Sequence, residues 1–248
     1  NWIPEPFRGN EPVDWSPLWS LTHGTVKYLS TPYLYYGCPC PEGLDFCRPE
    51  SHGNAAGNPR EDAILQGFME VVERDGVAMW WYNRTSRPGV DLGSFNQPYF
   101  EALEKHYRSL DREMWVLDLT TDFGIPIFAA VSLPLGRESS DELLLGFGAH
   151  FDPVIAASRA LTEMNQFLPS ALRGRVQRMS SVVMEDTDGL RPSSDEPRGR
   201  ERYLPTGSDD LREDVEICVG LARDREMEVL VLDQTRHDVG LPVVKVVV

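Results

Sequence analysis

Residues 51–76 read SHGNAAGNPREDAILQGFMEVVERDG, and the fold turns on how this stretch is taken. A glycine-rich lead-in gives way at Asn58-Pro59 to a run of helix-start signals. Asn58 suits an N-cap, Pro59 the first helical position, and Glu61 and Asp62 the positive end of the helix dipole. The helix is expected to run to Asp75, with Gly76 as its stop. Ala63, Leu65, Phe68, Met69, Val71 and Val72 make it apolar on nearly every side, which predicts a buried helix. Its last turn, EVVERD, carries Glu70, Glu73, Arg74 and Asp75. Glu70 and Glu73 share one helix face, and Arg74 sits one turn beyond Glu70. Two carboxylates so close repel unless a cation lies between them. Mg²⁺ takes carboxylate oxygen and keeps water and phosphate oxygens as its other ligands, so the pair suits a nucleotide–Mg²⁺ site with Arg74 on a phosphate. The alternative is a solvated helix end with a Glu70–Arg74 surface ion pair, worth little energetically. Burial of the helix weighs against that alternative.

Outward from this helix, residues 1–50 are rich in Pro, Tyr and Trp, and TVKYLSTPYLYYG reads as a strand or extended pair. VAMWWYNRTS continues as helix or turn, and QPYFEALEKHYRSL is a second amphipathic helix. Strands are expected at Met114 to Thr121 and Ile125 to Pro134, joined at DFG. A third helix starts at Asp152, with Pro153 in its first position, and should end before Pro169. Residues 185–210 are polar and rich in Pro and Gly, which predicts a mobile loop or lid. A helix, DLREDVEICVGLARDR, and two strands, EVLVLDQT and LPVVKVVV, follow. Such alternation predicts a layered α/β fold. AILQGFMEVVER and AASRALTEMNQ echo one another; two such helices meeting in a core would bring acidic and amide side chains together, including Glu163 and Gln166.

The 248 residues suffice for a substantial core, and 41% apolar and 25% charged content is ordinary for a globular chain. A net charge of −15 argues against nonspecific binding to nucleic acid or anionic membrane. No apolar run approaches the roughly 20 residues that span a bilayer, and the first residues lack signal-peptide character, so a cytoplasmic location is expected. The apolar run at the end of the chain suggests a piece of a longer protein. Cys38, Cys40, Cys47 and His52 could ligate zinc, but they lack paired Cys-x₂-Cys knuckles. The five histidines show no metal spacing and no base–nucleophile pairing. SHGNAAGN has no Walker pattern, although its small residues let a ligand approach the backbone. GFGAHFDP holds a lone Gly-x-Gly that means little alone, and the NRT at Asn83 has no bearing in a cytoplasmic protein.

The stretch SHGNAAGNPREDAILQGFMEVVERDGVAMWWYNR resembles the signature of YcaO-domain proteins, in which a Ser-Asn-Gly-x-Ala-Ala-Gly-Asn loop precedes a helix ending in Glu-x-x-Glu-Arg. DFGIPIFAAVS, GFGAHFDPVIAASRALTEMNQF and VLVLDQTRHDVGLPVVKVVV resemble successive family segments, in the same order and over most of the chain. WWYNR and ALTEMNQF are most similar to the azoline-forming branch. The resemblance implies a YcaO-type layered α/β domain over residues 1–248 that binds ATP in a non-Walker manner. By it, Glu70 and Glu73 become Mg²⁺–phosphate ligands and Arg74 a phosphate contact. Asn58 and Asp62 become nucleotide contacts, while Glu163 and Gln166 match a second motif and Arg236 of TRHD a further site residue. An earlier Gly-Lys-Gly segment, a further Glu-x-x-Glu-Arg helix and a Pro-rich tail usual in the family have no counterpart in these residues. His52 stands where Asn is usual, and Asp62 where Glu is usual. The chain is thus expected to be an incomplete YcaO domain carrying part of the ATP site.

In such relatives a Cys, Ser or Thr side chain of a ribosomal precursor peptide attacks the preceding carbonyl, ATP phosphorylates the resulting oxyanion, and phosphate leaves to give a thiazoline or oxazoline. The peptide's leader is usually held by an E1-like partner, separate or fused; a homodimer is also open. Competing readings are thioamide or amidine formation on the same ATP site, which needs a sulfide source or a dedicated partner, and a non-catalytic YcaO-like subunit that binds peptide or stabilises an enzyme. An acidic ligase unrelated to peptides is a third.

Overall fold

A computed structural model of the chain describes residues 5–7, 9, 12–36, 38, 46–136, 143–173, 188–193 and 196–248; Cys40 lies outside them. In chain order the elements are β1 (Trp15–Ser20), β2 (Thr25–Ser30), α1 (Thr31–Leu34), β3 (Asn54–Ala56), α2 (Arg60–Asn83), α3 (Pro98–Ser109), β4 (Arg112–Asp118), β5 (Ile127–Pro134), β6 (Leu144–Ala149), α4 (Pro153–Leu172), α5 (Leu211–Arg223), β7 (Leu230–Asp233) and β8 (Val243–Val247). Two compact units form: residues 1–71 with 208–248, and residues 72–207. Helix α2 runs unbroken from the first into the second.

The first unit holds a five-stranded sheet in the order β2-β1-β7-β8-β3, antiparallel at every pairing. Leu18, Leu34, Leu230 and Leu232 form a core cluster here. The extended pair expected at TVKYLSTPYLYYG is half right: TVKYLS is β2, but TPYL turns into the single helical turn α1. Pro32 favours that turn because its ring presets the helical φ and its missing N–H would have no partner there.

The second unit holds the antiparallel sheet β4-β5-β6. Residues 127–133 and 144–149 are buried throughout, so both strands read as continuous apolar runs rather than alternating ones. Helix α4 packs on β6 at glycine sites: a Cβ on Gly146 would lie 2.2 Å from the Ala160 carbonyl oxygen, and one on Gly148 2.3 Å from that of Ala156. The GFG of GFGAHFDP is therefore a helix–sheet packing device. Phe95, Phe100, Tyr107, Phe128, Leu161 and Met164 fill the core below.

Two expectations about element ends are corrected, and one about a loop. Gly76 does not stop α2, which continues to Asn83; a Cβ there would lie 2.8 Å from Ile127 Cδ1, so the residue is small because β5 packs against it. Pro169 does not stop α4, which ends at Leu172. Pro169 falls in the last turn of the helix, where it, Ser170 and Leu172 are exposed, so little packing depends on the hydrogen bond it removes. The mobile lid expected at 185–210 is, over its described residues, tied down. Arg87 bridges Pro192 and Val90 bridges Arg198, and the indole N–H groups of Trp80 and Trp115 donate to the carbonyls of Gly189 and Leu190 at 2.9 and 2.7 Å. Arg198 and the Tyr203 hydroxyl both donate to Asp118, at 2.6 and 2.9 Å. Composition signalled a polar loop, but paired polar groups order it.

Candidate functional site

The EVVERD turn lies in the middle of α2, not at its end. Glu73 is only 9% exposed. It pairs with Arg74 at 3.4 Å, so the solvated-end reading fails: a buried carboxylate is retained where it has a cation to answer. Arg74 also lies over the Phe147 ring, 6.0 Å from its centroid. The Phe147 backbone N–H donates to Glu163 Oε2 at 2.5 Å. Phe147 of β6 is therefore touched from two sides by expected site residues, one on α2 and one on α4. Burial, reinforced by Asp122, holds the Asp75 carboxyl above the ordinary carboxylate range.

Glu70 has a different setting, within the first unit. Its Oε2 accepts the backbone N–H of Gly53 at 3.2 Å. Gly53 has φ +79°. Its carbonyl accepts from Val246 at 2.8 Å, and a Cβ on it would lie 2.1 Å from the Val246 oxygen. Only glycine suits that backbone at that approach. At the head of α2, Asp62 closes the lead-in: Oδ2 accepts the Asn58 N–H at 3.2 Å and Oδ1 accepts from Gln66 at 3.0 Å. The helix begins at Arg60, one residue later than expected. A Cβ on Gly57 would lie 2.4 Å from the Ala63 nitrogen, so this lead-in is packed against the helix start.

The remaining expected residues stand apart from these contacts. Gln166 is exposed on α4. Arg236 is exposed beyond β7 and forks onto the Asp238 carboxylate, with contacts of 3.0 and 2.5 Å. Each partner favours the other's charged form, moving the Arg236 pKa up and the Asp238 pKa down. Of the cysteine–histidine set, His52 pairs with Glu50 at 3.2 Å and Cys47 contacts the Ser30 hydroxyl at 3.7 Å.

Sequence reasoning missed Phe147, whose role depends on a strand pairing that no local pattern announces. It also missed Lys245 of β8, 1% exposed, whose signal was visible as the single charge in VVKVVV.

Among the described residues no three His, Cys, Asp or Glu side chains gather as a metal cage. Glu70 and Glu73 supply hard carboxylate oxygens from one helix face, which fits a Mg²⁺ whose other positions go to phosphate and water. The adjacent guanidinium suits phosphate. No described helix is long and apolar enough to cross a membrane.

The sequence profile described as YcaO cyclodehydratase, ATP- and Mg²⁺-binding, matches residues 1–248. A solved heterocyclase in complex with substrate and cofactor superposes with TM-score 0.91 at 48% identity, over 99% of this chain and 34% of that one. The YcaO of Methanopyrus kandleri bound with AMPPCP and Mg²⁺ gives TM-score 0.77 at 27% identity, over 100% of this chain and 66% of that one. An uncharacterised protein of Methanothermobacter thermautotrophicus is 33% identical over 95% of this chain and 64% of its own length. The chain thus spans a minor part of the heterocyclase and just under two thirds of the archaeal relatives.

Proposed function

We propose, from the premise that this chain belongs to the YcaO family of ATP- and Mg²⁺-binding cyclodehydratases, that it is the ATP-using part of a peptide heterocyclase. The reaction closes Cys, Ser or Thr of a ribosomal precursor peptide onto the preceding carbonyl, giving a thiazoline or oxazoline. ATP with Mg²⁺ supplies the phosphoryl group that makes the amide oxygen a leaving group, with ADP and phosphate as products. The likeness to a heterocyclase holding substrate and cofactor, over nearly the whole chain, supports this reading.

The observation that carries it is the buried Glu73 paired in mid-helix with the half-buried Arg74, with Glu70 one turn back on the same face. Glu70 and Glu73 hold Mg²⁺. Arg74, braced by the Phe147 ring, neutralises phosphate charge as the phosphoryl group transfers, so the residues act by positioning and electrostatics. Glu163 lines the site from α4 and, in this structure, fixes the strand that carries Phe147. Asn58 and Asp62 contact the nucleotide from the helix start, and Gln166 and Arg236 complete the set; for Arg236 this requires release of Asp238. An E1-like partner or further domain delivers the leader of the peptide.

The test is calorimetry of ATP with Mg²⁺ on the intact protein, comparing wild type with Glu70→Gln/Glu73→Gln. Wild type should bind, and the double variant should lose the Mg²⁺-dependent part of its affinity. With substrate peptide, mass spectrometry should show loss of one water per ring in wild type alone. An intact wild type that does not bind ATP at millimolar concentration overturns the proposal.

A further inference from the structure

We infer that Lys245 is a positioning residue for Glu70, acting through the turn at residues 50–53. The inference rests on the reading of Glu70 as a Mg²⁺ ligand. Lys245 is 1% exposed, in the middle of β8. Burying an ammonium is costly, so its surroundings must answer it. Its Nζ donates to the Glu50 carbonyl at 2.5 Å and lies 5.5 Å from the Tyr33 ring centroid. Desolvation lowers its pKa, while Glu50 and Glu70 favour the charged form.

The backbone bonding shows what that ammonium holds. Lys245 pairs across the sheet with Asn54. Both the backbone N–H and the side-chain amide of Asn54 donate to the Ser51 carbonyl, at 3.1 and 2.8 Å, closing the turn. Val246, the next residue of β8, donates to the Gly53 carbonyl at 2.8 Å. Consecutive residues of one strand therefore grip the turn at both ends: Lys245 at Glu50 and Val246 at Gly53. The Gly53 N–H is then directed onto Glu70 Oε2 at 3.2 Å. A carboxylate with one oxygen so fixed is held in a set orientation, as metal ligands held by an outer hydrogen bond are. A side chain at 245 with no N–H, as in Met, or with one a bond too short to reach, as in Gln, leaves the Glu50 carbonyl without its donor, and the turn is released at its upstream end.

The test uses the intact protein with Lys245→Met and Lys245→Gln as neutral variants and Lys245→Arg as the charged one. Two readouts are taken. The first is the Mg²⁺ concentration for half-maximal ATP binding, with metal-free ATP affinity as control. The neutral variants should need about tenfold more Mg²⁺ at unchanged metal-free affinity, with Lys245→Arg close to wild type. The second is hydrogen exchange at the Gly53 amide without nucleotide, which should speed up about tenfold in the neutral variants. Unchanged Mg²⁺ dependence, or unchanged Gly53 exchange, in a folded neutral variant overturns the inference. Failure of both neutral variants to fold also overturns it, since Lys245 is then a core residue only. Wild type that binds no Mg²⁺-ATP defeats the nucleotide reading instead, and Gly53 exchange still decides whether Lys245 holds the turn.

Discussion

Gly53 and Phe147 carry the demands of the proposed site most sharply at the scale of single residues. Gly53 combines a left-handed φ of +79° with an approach to Val246 that leaves no room for a Cβ. Gly53→Ala should therefore cost about 3 kcal/mol or more, combining backbone strain with a steric shift of β8. Urea denaturation of the variant beside wild type measures this. It should also weaken Mg²⁺-dependent ATP binding, because the N–H that Glu70 accepts moves with the turn. Phe147→Leu separates two contacts: the N–H to Glu163 stays, while the ring under Arg74 is lost. A cation–π contact of this kind is worth about 1 kcal/mol, so ATP affinity should fall roughly fivefold, beside a loss of about 1 kcal/mol of folding stability from the smaller side chain at this buried position. Isothermal titration resolves a change of that size.

Among the elements, α4 and the segment after residue 188 depend on contacts that leave little tolerance. The Gly146 and Gly148 sites let α4 lie directly on β6, so Gly148→Ala must push the helix outward and carry Glu163 with it. Near-ultraviolet circular dichroism and ATP affinity should both change. Asp118, fully buried, accepts from the Thr120 N–H at 2.8 Å as well as from Arg198 and Tyr203. Asp118→Ala should cost about 3 kcal/mol and free residues 196–203 to proteolysis. Burial first, then Asp118, pushes the Tyr203 hydroxyl above its ordinary value of 10.0. The folded state thus keeps a proton that the unfolded chain loses, and this contribution to stability is full below pH 10 and falls as pH rises beyond it. Urea denaturation from about pH 8 to about pH 11 should show a steeper alkaline loss in wild type than in Tyr203→Phe.

For the whole molecule, the proposed residues are distributed over both units: Glu70 with Asn58, Asp62 and Arg236 in one, Glu73 and Arg74 with Glu163 and Gln166 in the other. The unbroken helix α2 joins Glu70 to Glu73. With Mg²⁺-ATP at about 100 times its Kd, the intact protein should gain about 2.7 kcal/mol, read as a rise in Tm that Glu70→Gln/Glu73→Gln abolishes. A rise in Tm that survives in the double variant would place the nucleotide elsewhere.

The sequence by itself determined what depends on neighbours along the chain. Helical periodicity and cap residues located α2, α3, α4 and α5, and the three-residue spacing put Glu70 and Glu73 on one face. The long motif around them identified the family. Tertiary structure alone decided how the signals of single residues were to be taken. Gly76 and Pro169 carry helix-stop chemistry, yet neither stops its helix: what packs on Gly76, and how exposed Pro169 is, are set by distant segments. TPYL became a helical turn, and the described residues of the polar run, 188–193 and 196–203, are tied down by partners far along the chain. Glu73 lies buried, Arg74 lies over Phe147, and the Lys245 ammonium donates to the Glu50 carbonyl. Periodicity reports which side of an element is apolar; which residue lies opposite is fixed only when strands pair and helices pack.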